Sequence, residues 1–300
     1  MKTTRLFIAC SLVLLLGACE MVQTKAPVAS ESPAPVVAES KTGAHDNLNA
    51  VLWMQTSVEY KLLAGQTWRS GLVQLDRAIK SPTWDALTPD EREKPAKGLP
   101  MAVIVDIDET MLDNSPYQAR LIRDHTAYDE VTWSDWVMEE KATAIPGALE
   151  FARAATARGV TIFYISNRAA HLKDATISNL RKAGFPIKDE KQFLGLGYYV
   201  DNCEQQGSEK GCRRISIGRE YRVLMQFGDQ IGDMATILAN TRDGREQAIK
   251  PYLSWVGERW FVLPNPSYGS WEPALFNNEW SQSEDERRTQ KYEALRYEGH

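Results

Sequence analysis

The chain reads as an α/β protein, a three-layer core in which a parallel sheet is covered by helices, with a small, mainly helical cap. Three observations carry that expectation. Strands over 101–107, Val160–Ile165 and Val223–Phe227 are almost wholly apolar, the pattern of strands buried on both faces. Segments of helical character lie between them, as crossovers between parallel strands require. Each strand also ends in polar residues: Asp106-Ile-Asp108, Ser166-Asn167-Arg168 and Gly228-Asp229-Gln230-Ile231-Gly232-Asp233. Open parallel sheets bind ligands outside the carboxyl ends of their strands, so these three ends are expected to share one crevice.

Ahead of this core, Lys2 and Arg5 precede an apolar stretch from Leu6 to Leu16. That is the layout of a secretory signal over residues 1–18, which is removed and plays no part in the fold. The signal closes on Leu16-Gly17-Ala18-Cys19, which resembles the bacterial lipobox, so Cys19 is expected to be lipidated and to become the mature amino terminus. Several acyl chains exceed what stable anchoring needs. Glu20 in place of aspartate points, by analogy with enteric bacteria, to the outer membrane, with the domain outside the cytoplasm. Removal of the signal takes Lys2 and Arg5 from 35 basic residues and leaves the 40 acidic ones, moving the net charge from −5 to −7. A nucleic-acid-wrapping surface is not expected on such a chain.

Residues 19–46 follow as a tether, rich in Pro, Ala, Val, Ser and Glu and too poor in large apolar side chains to fold. The folded domain spans 47–280, with a helical part over 47–97 and the α/β core over 98–280. From Asn47 to Lys80, Leu48, Val51, Leu52, Val58, Leu62 and Leu63 recur at helical spacing. One long helix or two are expected, with Gly65 and Gly71 as weak points, before Ser81-Pro82 stops the pattern. Residues 113–145 are too many for a simple connection and are read as the cap over the strand ends. Pro146-Gly147 opens a helix ending near Gly159, and His171 to Ala183 forms another, closed by Gly184. The charged tail 281–300 is a solvated helix or has no fixed structure.

Asp106 and Asp108, two apart at a strand exit, emerge side by side. Neighbouring carboxylates are costly unless a divalent cation sits between them. The other two ends add a hydroxyl, Ser166, and further carboxylates, Asp229 and Asp233, so that cation, anion and nucleophile sites fall together. Once Cys10 and Cys19 are accounted for, Cys203 and Cys212 remain in an oxidising compartment, where a disulfide is expected, the alternative being two free thiols. Four histidines in the whole chain, none beside this pair, argue against zinc.

The first strand end, Asp106-Ile-Asp108-Glu109-Thr110, and Gly228-Asp229 to Asp233 resemble the D-x-D-x-T and G-D-x-x-x-D motifs of the haloacid dehalogenase superfamily, whose core is Rossmann-like. The resemblance is narrower than that. Asp108-Glu-Thr-Met-Leu-Asp-Asn-Ser-Pro-Tyr117, Pro146-Gly-Ala-Leu-Glu-Phe151, Phe163-Tyr-Ile-Ser-Asn-Arg168 and Leu263-Pro-Asn-Pro-Ser-Tyr-Gly-Ser-Trp-Glu272 look like the class C acid phosphatases, bacterial lipoproteins that include a 5′-nucleotidase. The likeness runs over about residues 47–275.

The resemblance implies that Asp106 is the nucleophile, forming an aspartyl-phosphate, and that Asp108 is the general acid and base. It implies Mg2+ held by Asp106, the Asp108 carbonyl and Asp229, an all-oxygen set suited to that ion. Ser166 and the Asn167 N–H would bind the phosphoryl group, and Lys210 falls at the phosphate lysine of a K-x-x-R pattern. Asp233 would hold Lys210 or a metal-bound water. Two departures stand out: Cys203 and Cys212 bracket the approach to Lys210, where the family is lysine-rich, and Gln230 replaces the usual asparagine.

Trp133 and Tyr268 match rings that stack on a substrate's aromatic group, with Tyr117 and Trp136 as nearby candidates; core packing is the alternative for each. The activity implied is hydrolysis of small phosphomonoesters, nucleoside monophosphates or aryl phosphates, by a membrane-anchored protein that could also form a homodimer. A second reading is a non-catalytic, haem-binding lipoprotein, disfavoured by the scarcity of histidine. A third keeps the chemistry but takes phosphomonoesters without a base, or transfers phosphate to an alcohol.

Overall fold

The computed structural model of the protein describes residues 45–298, so the expected signal, Cys19 and nearly all of the tether lie outside the described residues. Two helices come first, α1 (Leu48–Thr56) and α2 (Val58–Lys80). After β1 (Met101–Val105) the chain makes an excursion through β2 (Leu112–Asp113), α3 (Ser115–Asp124), α4 (Glu130–Glu139) and β3 (Thr143–Ala144). It then continues as α5 (Ala148–Ala157), β4 (Thr161–Ala169), α6 (Lys173–Lys182), β5 (Phe193–Leu196), α7 (Gly211–Glu220), β6 (Arg222–Gly228), α8 (Arg242–Ile249), β7 (Trp260–Val262) and α9 (Glu284–Glu293).

Five strands form one sheet in the order β5-β4-β1-β6-β7, every neighbouring pair parallel. Burial on both faces explains the apolar strands. Val103 and Val105 of β1 pack into the larger core with Trp68, Phe151 and Phe227, while Ala102 and Ile104 point to a second core with Trp260 and Ile217. From β1 the chain builds outward to β4 and β5, then returns to the other side for β6 and β7. The carboxyl ends of β4, β1 and β6 therefore lie side by side at the point where the order reverses, the expected ligand crevice. β4 runs past the expected Ile165 through Ser166-Asn167-Arg168 to Ala169, with its register against β5 broken between Ile165 and Ala169.

The excursion is pinned at its base. β2 and β3 pair antiparallel, Leu112 with Ala144 and Asp113 with Thr143, so α3 and α4 leave and re-enter the core at one place. This covers the segment expected as the cap. The tail carries α9, a helix with no buried residue, capped reciprocally by Ser283 and Glu286.

The amino-terminal helices differ from expectation in their break and in their buried face. The chain breaks at Ser57, whose extended backbone ends α1 and whose hydroxyl accepts from the Tyr60 N–H to start α2. That break resets the helical phase. Of the expected set only Val51 is buried; Leu48, Leu52, Val58, Leu62 and Leu63 are exposed, and Met54, Tyr60, Ala64, Trp68 and Leu75 face the core instead. Gly65 and Gly71 are not weak points but places of close approach inside α2. A Cβ on Gly71 would stand 2.4 Å from Phe227 Cζ, and the Gly65 backbone meets the turn at Gly147. No helix among the described residues is long and apolar enough to cross a membrane.

Phe227 cannot retreat, because it stacks between Trp68, with centroids 4.2 Å apart, and Phe261 at 4.7 Å. Gly71→Ala should therefore destabilise the protein by about 1–2 kcal/mol, overpacking outweighing the roughly 1 kcal/mol that alanine adds in helix propensity. Urea unfolding checks this; an unchanged or raised midpoint would contradict the packing account.

Candidate active site

The backbone of Asp106 continues β1, its N–H donating to Phe227 O at 2.9 Å, and Asp229 leaves β6 one strand away. Two neighbouring strands thus deliver two carboxylates to one point. Asp233 joins them from the short helix after β6, and oxygens of Asp106, Asp229 and Asp233 lie within 4.8 Å of one another. Lys210, the residue immediately before α7, answers this charge. Its Nζ donates to Asp106 Oδ1, to Asp233 Oδ1 at 2.7 Å and to Ile165 O at 3.1 Å.

The electrostatics follow from burial. Desolvation pushes the Asp106 carboxyl well above its ordinary value, with Lys210 opposing and the neighbouring aspartates reinforcing. Asp229 is pushed up to about 7, by burial first and Asp233 second, against the donors Gln230 and Asn265. Burial would favour loss of the Lys210 proton, but Asp106 and Asp233 outweigh it and hold the ammonium above its ordinary value.

Asp108 is held differently. Its Oδ1 accepts from Arg168 Nε at 3.0 Å and Nη2 at 2.8 Å and from Asn114 Nδ2 at 2.9 Å. Its Oδ2 has one donor, the Ser166 hydroxyl at 3.2 Å. Arg168 is itself fixed by Thr176 Oγ1 at 3.2 Å and lies over the Trp133 ring at 5.5 Å. Ser166 and Asn167 are tied to α7 by Arg213, which donates to Ser166 O and Asn167 Oδ1, each at 2.7 Å.

The donor set fits a hard divalent cation. Asp106 Oδ1 is taken by Lys210 and Asp229 Oδ2 by Gln230 and Asn265, so one oxygen of each acid has no protein donor among the described residues. Both oxygens of Asp233 are engaged, by Lys210 and by the Gln230 N–H at 2.9 Å, which suits it to hold the lysine rather than to ligate. Asp106 and Asp229 would hold the ion, with the Asp108 carbonyl as the third ligand implied by the sequence motif.

The rings are distributed unevenly. Tyr117 is 2% exposed, its hydroxyl at 3.1 Å from Thr132 Oγ1 and its ring against Trp133, so the expectation of a substrate-stacking role is corrected: it belongs to the core. Trp136 is likewise buried, donating to Asn114 Oδ1. Trp133 is 9% exposed, with Arg168 on its face. Tyr268 is half-buried, and its hydroxyl donates to Glu109.

Glu109, Asn114, Arg168, Arg213 and Asn265 carried no assigned role in the sequence. Glu109 is fully buried with φ +57°, a left-handed conformation unusual for glutamate, and accepts from the Asn114 N–H at 2.7 Å. A buried carboxyl in so strained a position is legible only in three dimensions, although all five residues lie within or beside the motif runs. Gln230 bridges Asp229 to the loop of Tyr268, its Oε1 accepting from the Ser270 N–H at 3.1 Å. Cys203 and Cys212 form a disulfide.

Residues 39–271 match the profile of the HAD superfamily, subfamily IIIB (acid phosphatase), and the chain belongs to that family. It is similar to the class C acid phosphatase from Bacillus anthracis, with a TM-score of 0.73 and 30% identity, covering 84% of this chain and 98% of that one. The tungstate-bound form of that protein matches at 31% identity and the same TM-score. Acid phosphatase 1 of Solanum lycopersicum is 26% identical over 165 residues, covering 55% of this chain and 57% of that protein. The Stem 31 kDa glycoprotein of Glycine max is 28% identical over 166 residues, with 55% and 58% covered. The matched region thus spans less than two thirds of these curated relatives.

A carboxyl raised from 3.8 to about 7 binds a proton in the folded state that it lacks when unfolded, so its contribution to stability is full at low pH and is lost as pH rises through that window. Metal-free protein should accordingly lose thermal stability between about pH 4 and pH 7. A divalent cation, which needs Asp229 ionised, should raise the melting temperature more at pH 7 than at pH 5. Asp229→Asn should flatten both effects, and a cation shift independent of pH would contradict this account.

Proposed function

We propose that the protein is a magnesium-dependent acid phosphatase that hydrolyses phosphomonoesters, 5′-nucleotides and aryl phosphates among them, through an aspartyl-phosphate. The observation that carries the reading is the Asp106 carboxylate at the end of the central strand, facing Lys210 and grouped with Asp229, while Ser166 at the neighbouring strand end meets Asp108. A relative with bound tungstate, an oxyanion, is consistent with it.

Asp106 attacks phosphorus while Lys210, the Ser166 hydroxyl and the Asn167 N–H bind the phosphoryl oxygens. Phosphoryl transfer depends chiefly on such positioning and charge neutralisation. Magnesium, held by Asp106, the Asp108 carbonyl and Asp229, would add positive charge beside those oxygens. Three donors fill Asp108 Oδ1, whereas Oδ2 has only the Ser166 hydroxyl; with that hydroxyl turned to the phosphoryl group, Oδ2 is the oxygen that carries a proton to the leaving alkoxide. The same oxygen then takes a proton from the water that opens the aspartyl-phosphate. A nucleobase or aryl group would rest against Tyr268 and Trp133.

Anchoring belongs to the same reading. Lys2, Arg5, the apolar stretch to Leu16 and Leu16-Gly17-Ala18-Cys19 support a lipid-anchored, outer-membrane protein.

Purified protein should release phosphate from AMP with Mg2+ and lose that activity with a chelator; Asp106→Asn should lower kcat by at least about a thousandfold. Full activity in that variant would defeat the mechanism, and a preference for glycerol phosphate over AMP would defeat the substrate assignment. Cys19→Ser should move the protein from the membrane to the soluble fraction; unchanged membrane retention would defeat the anchor.

A further inference from the structure

The Cys203–Cys212 disulfide encloses Lys210 in sequence and joins the segment before the lysine to the first turn of α7 behind it. The two flanks of Lys210 are unlike. Residues 210–214 are all buried, whereas residues 201–208 include no buried residue at all. Behind the lysine, α7 is anchored by Arg213 on Ser166 O and Asn167 and by Arg214 on Glu91 and Gly232 O. Ahead of it, the exposed segment is tied chiefly to itself and to Arg213: Gln205 Nε2 donates to Gly207 O and Glu209 O, and Arg213 Nη2 to Ser208 O and Glu209 O. Its other links are a 2.7 Å hydrogen bond from Arg219 Nη1 of α7 to Asp201 O and a 3.3 Å hydrogen bond from the Ile237 N–H to Glu209 Oε2.

We propose that the Cys203–Cys212 disulfide is the positioning element that presets Lys210 for phosphate binding. The proposal rests on the phosphatase reading above. Lys210 Nζ already has three acceptors, two of them carboxylates, and must turn a donor toward a phosphoryl oxygen without leaving Asp106. An ammonium on a flexible stem does this well only if its backbone is held. The crosslink holds it from the exposed side, where hydrophobic burial contributes nothing. Opening the bridge with dithiothreitol places two electrons and two protons on the sulfurs, giving two thiols, while the reagent closes to its cyclic disulfide.

The test compares oxidised protein, reduced protein and the C203S/C212S variant for binding of inorganic phosphate by calorimetry in the presence of Mg2+, alongside AMP hydrolysis. Free thiols are counted to confirm opening, and circular dichroism checks the fold. Loss of the crosslink should weaken phosphate binding and raise KM for AMP by roughly tenfold or more, towards the hundredfold that a misplacement of about 1 Å can cost. In a Lys210→Ala background the same reduction should change neither value. Equal phosphate binding by oxidised and reduced protein would show that Arg213 and Arg214 suffice and would overturn the proposal. An equal loss in the Lys210→Ala background would overturn it too, by showing general loosening. Oxidised protein that neither binds phosphate nor hydrolyses AMP would instead bring down the phosphatase reading itself.

Discussion

Three carboxylates, Asp106, Asp229 and Asp233, meet around a single ammonium, Lys210, in the interior at the sheet's carboxyl edge. Burying like charges this closely is strongly unfavourable, and one lysine does not cancel three acids. Burial first, and the neighbouring acids after it, raise the proton affinities of Asp106 and Asp229. The imbalance also suits the site to a cation between the acids and, on the proposed reading, to an anion beside the lysine. The rest of the fold serves to keep that cluster together against its own repulsion.

Arginines do most of the holding. Arg168 fixes one oxygen of Asp108, Arg213 joins the Ser166 strand end to α7, and Arg214 joins α7 to Glu91 and to the loop carrying Asp233. Each is buried and each reaches across two or more elements, a task that suits the planar, five-donor guanidinium. Buried pairs of this kind add little net stability over an apolar alternative, but removing one partner leaves an uncompensated charge. Their effect here is geometric: β4, β6 and α7 approach the crevice in fixed relation.

The α/β class, the three strands and the polar strand ends were legible because burial on both faces leaves an apolar run, and because parallel sheets bind at one edge. That residues 113–145 form more than a simple connection was legible from length alone. The amino-terminal helices were not, because a break at Ser57 shifts the phase of every apolar residue after it. Leu62 and Leu63 fit a helical repeat as well as Tyr60, Ala64 and Trp68 do, and only packing against Phe151 and Phe227 selects the second set. Gly71 likewise reads as a helix weakness until Phe227 is found above it.

At the site the division follows the same line. Sequence by itself determined which residue types stand at the three strand ends, since Asp106, Asp108, Ser166 and Asp229 each lie beside an apolar run whose direction is known. It also placed Lys210 in a recognisable pattern between two cysteines. Only the tertiary structure decided which oxygen of Asp108 keeps a single donor, that Asp233 holds the lysine, and that Tyr117 is core while Tyr268 is half-open. Those outcomes depend on groups more than fifty residues apart in the chain, such as Arg168 with Asp108 or Tyr268 with Glu109, and no local pattern encodes a contact that closes only when the whole sheet has formed.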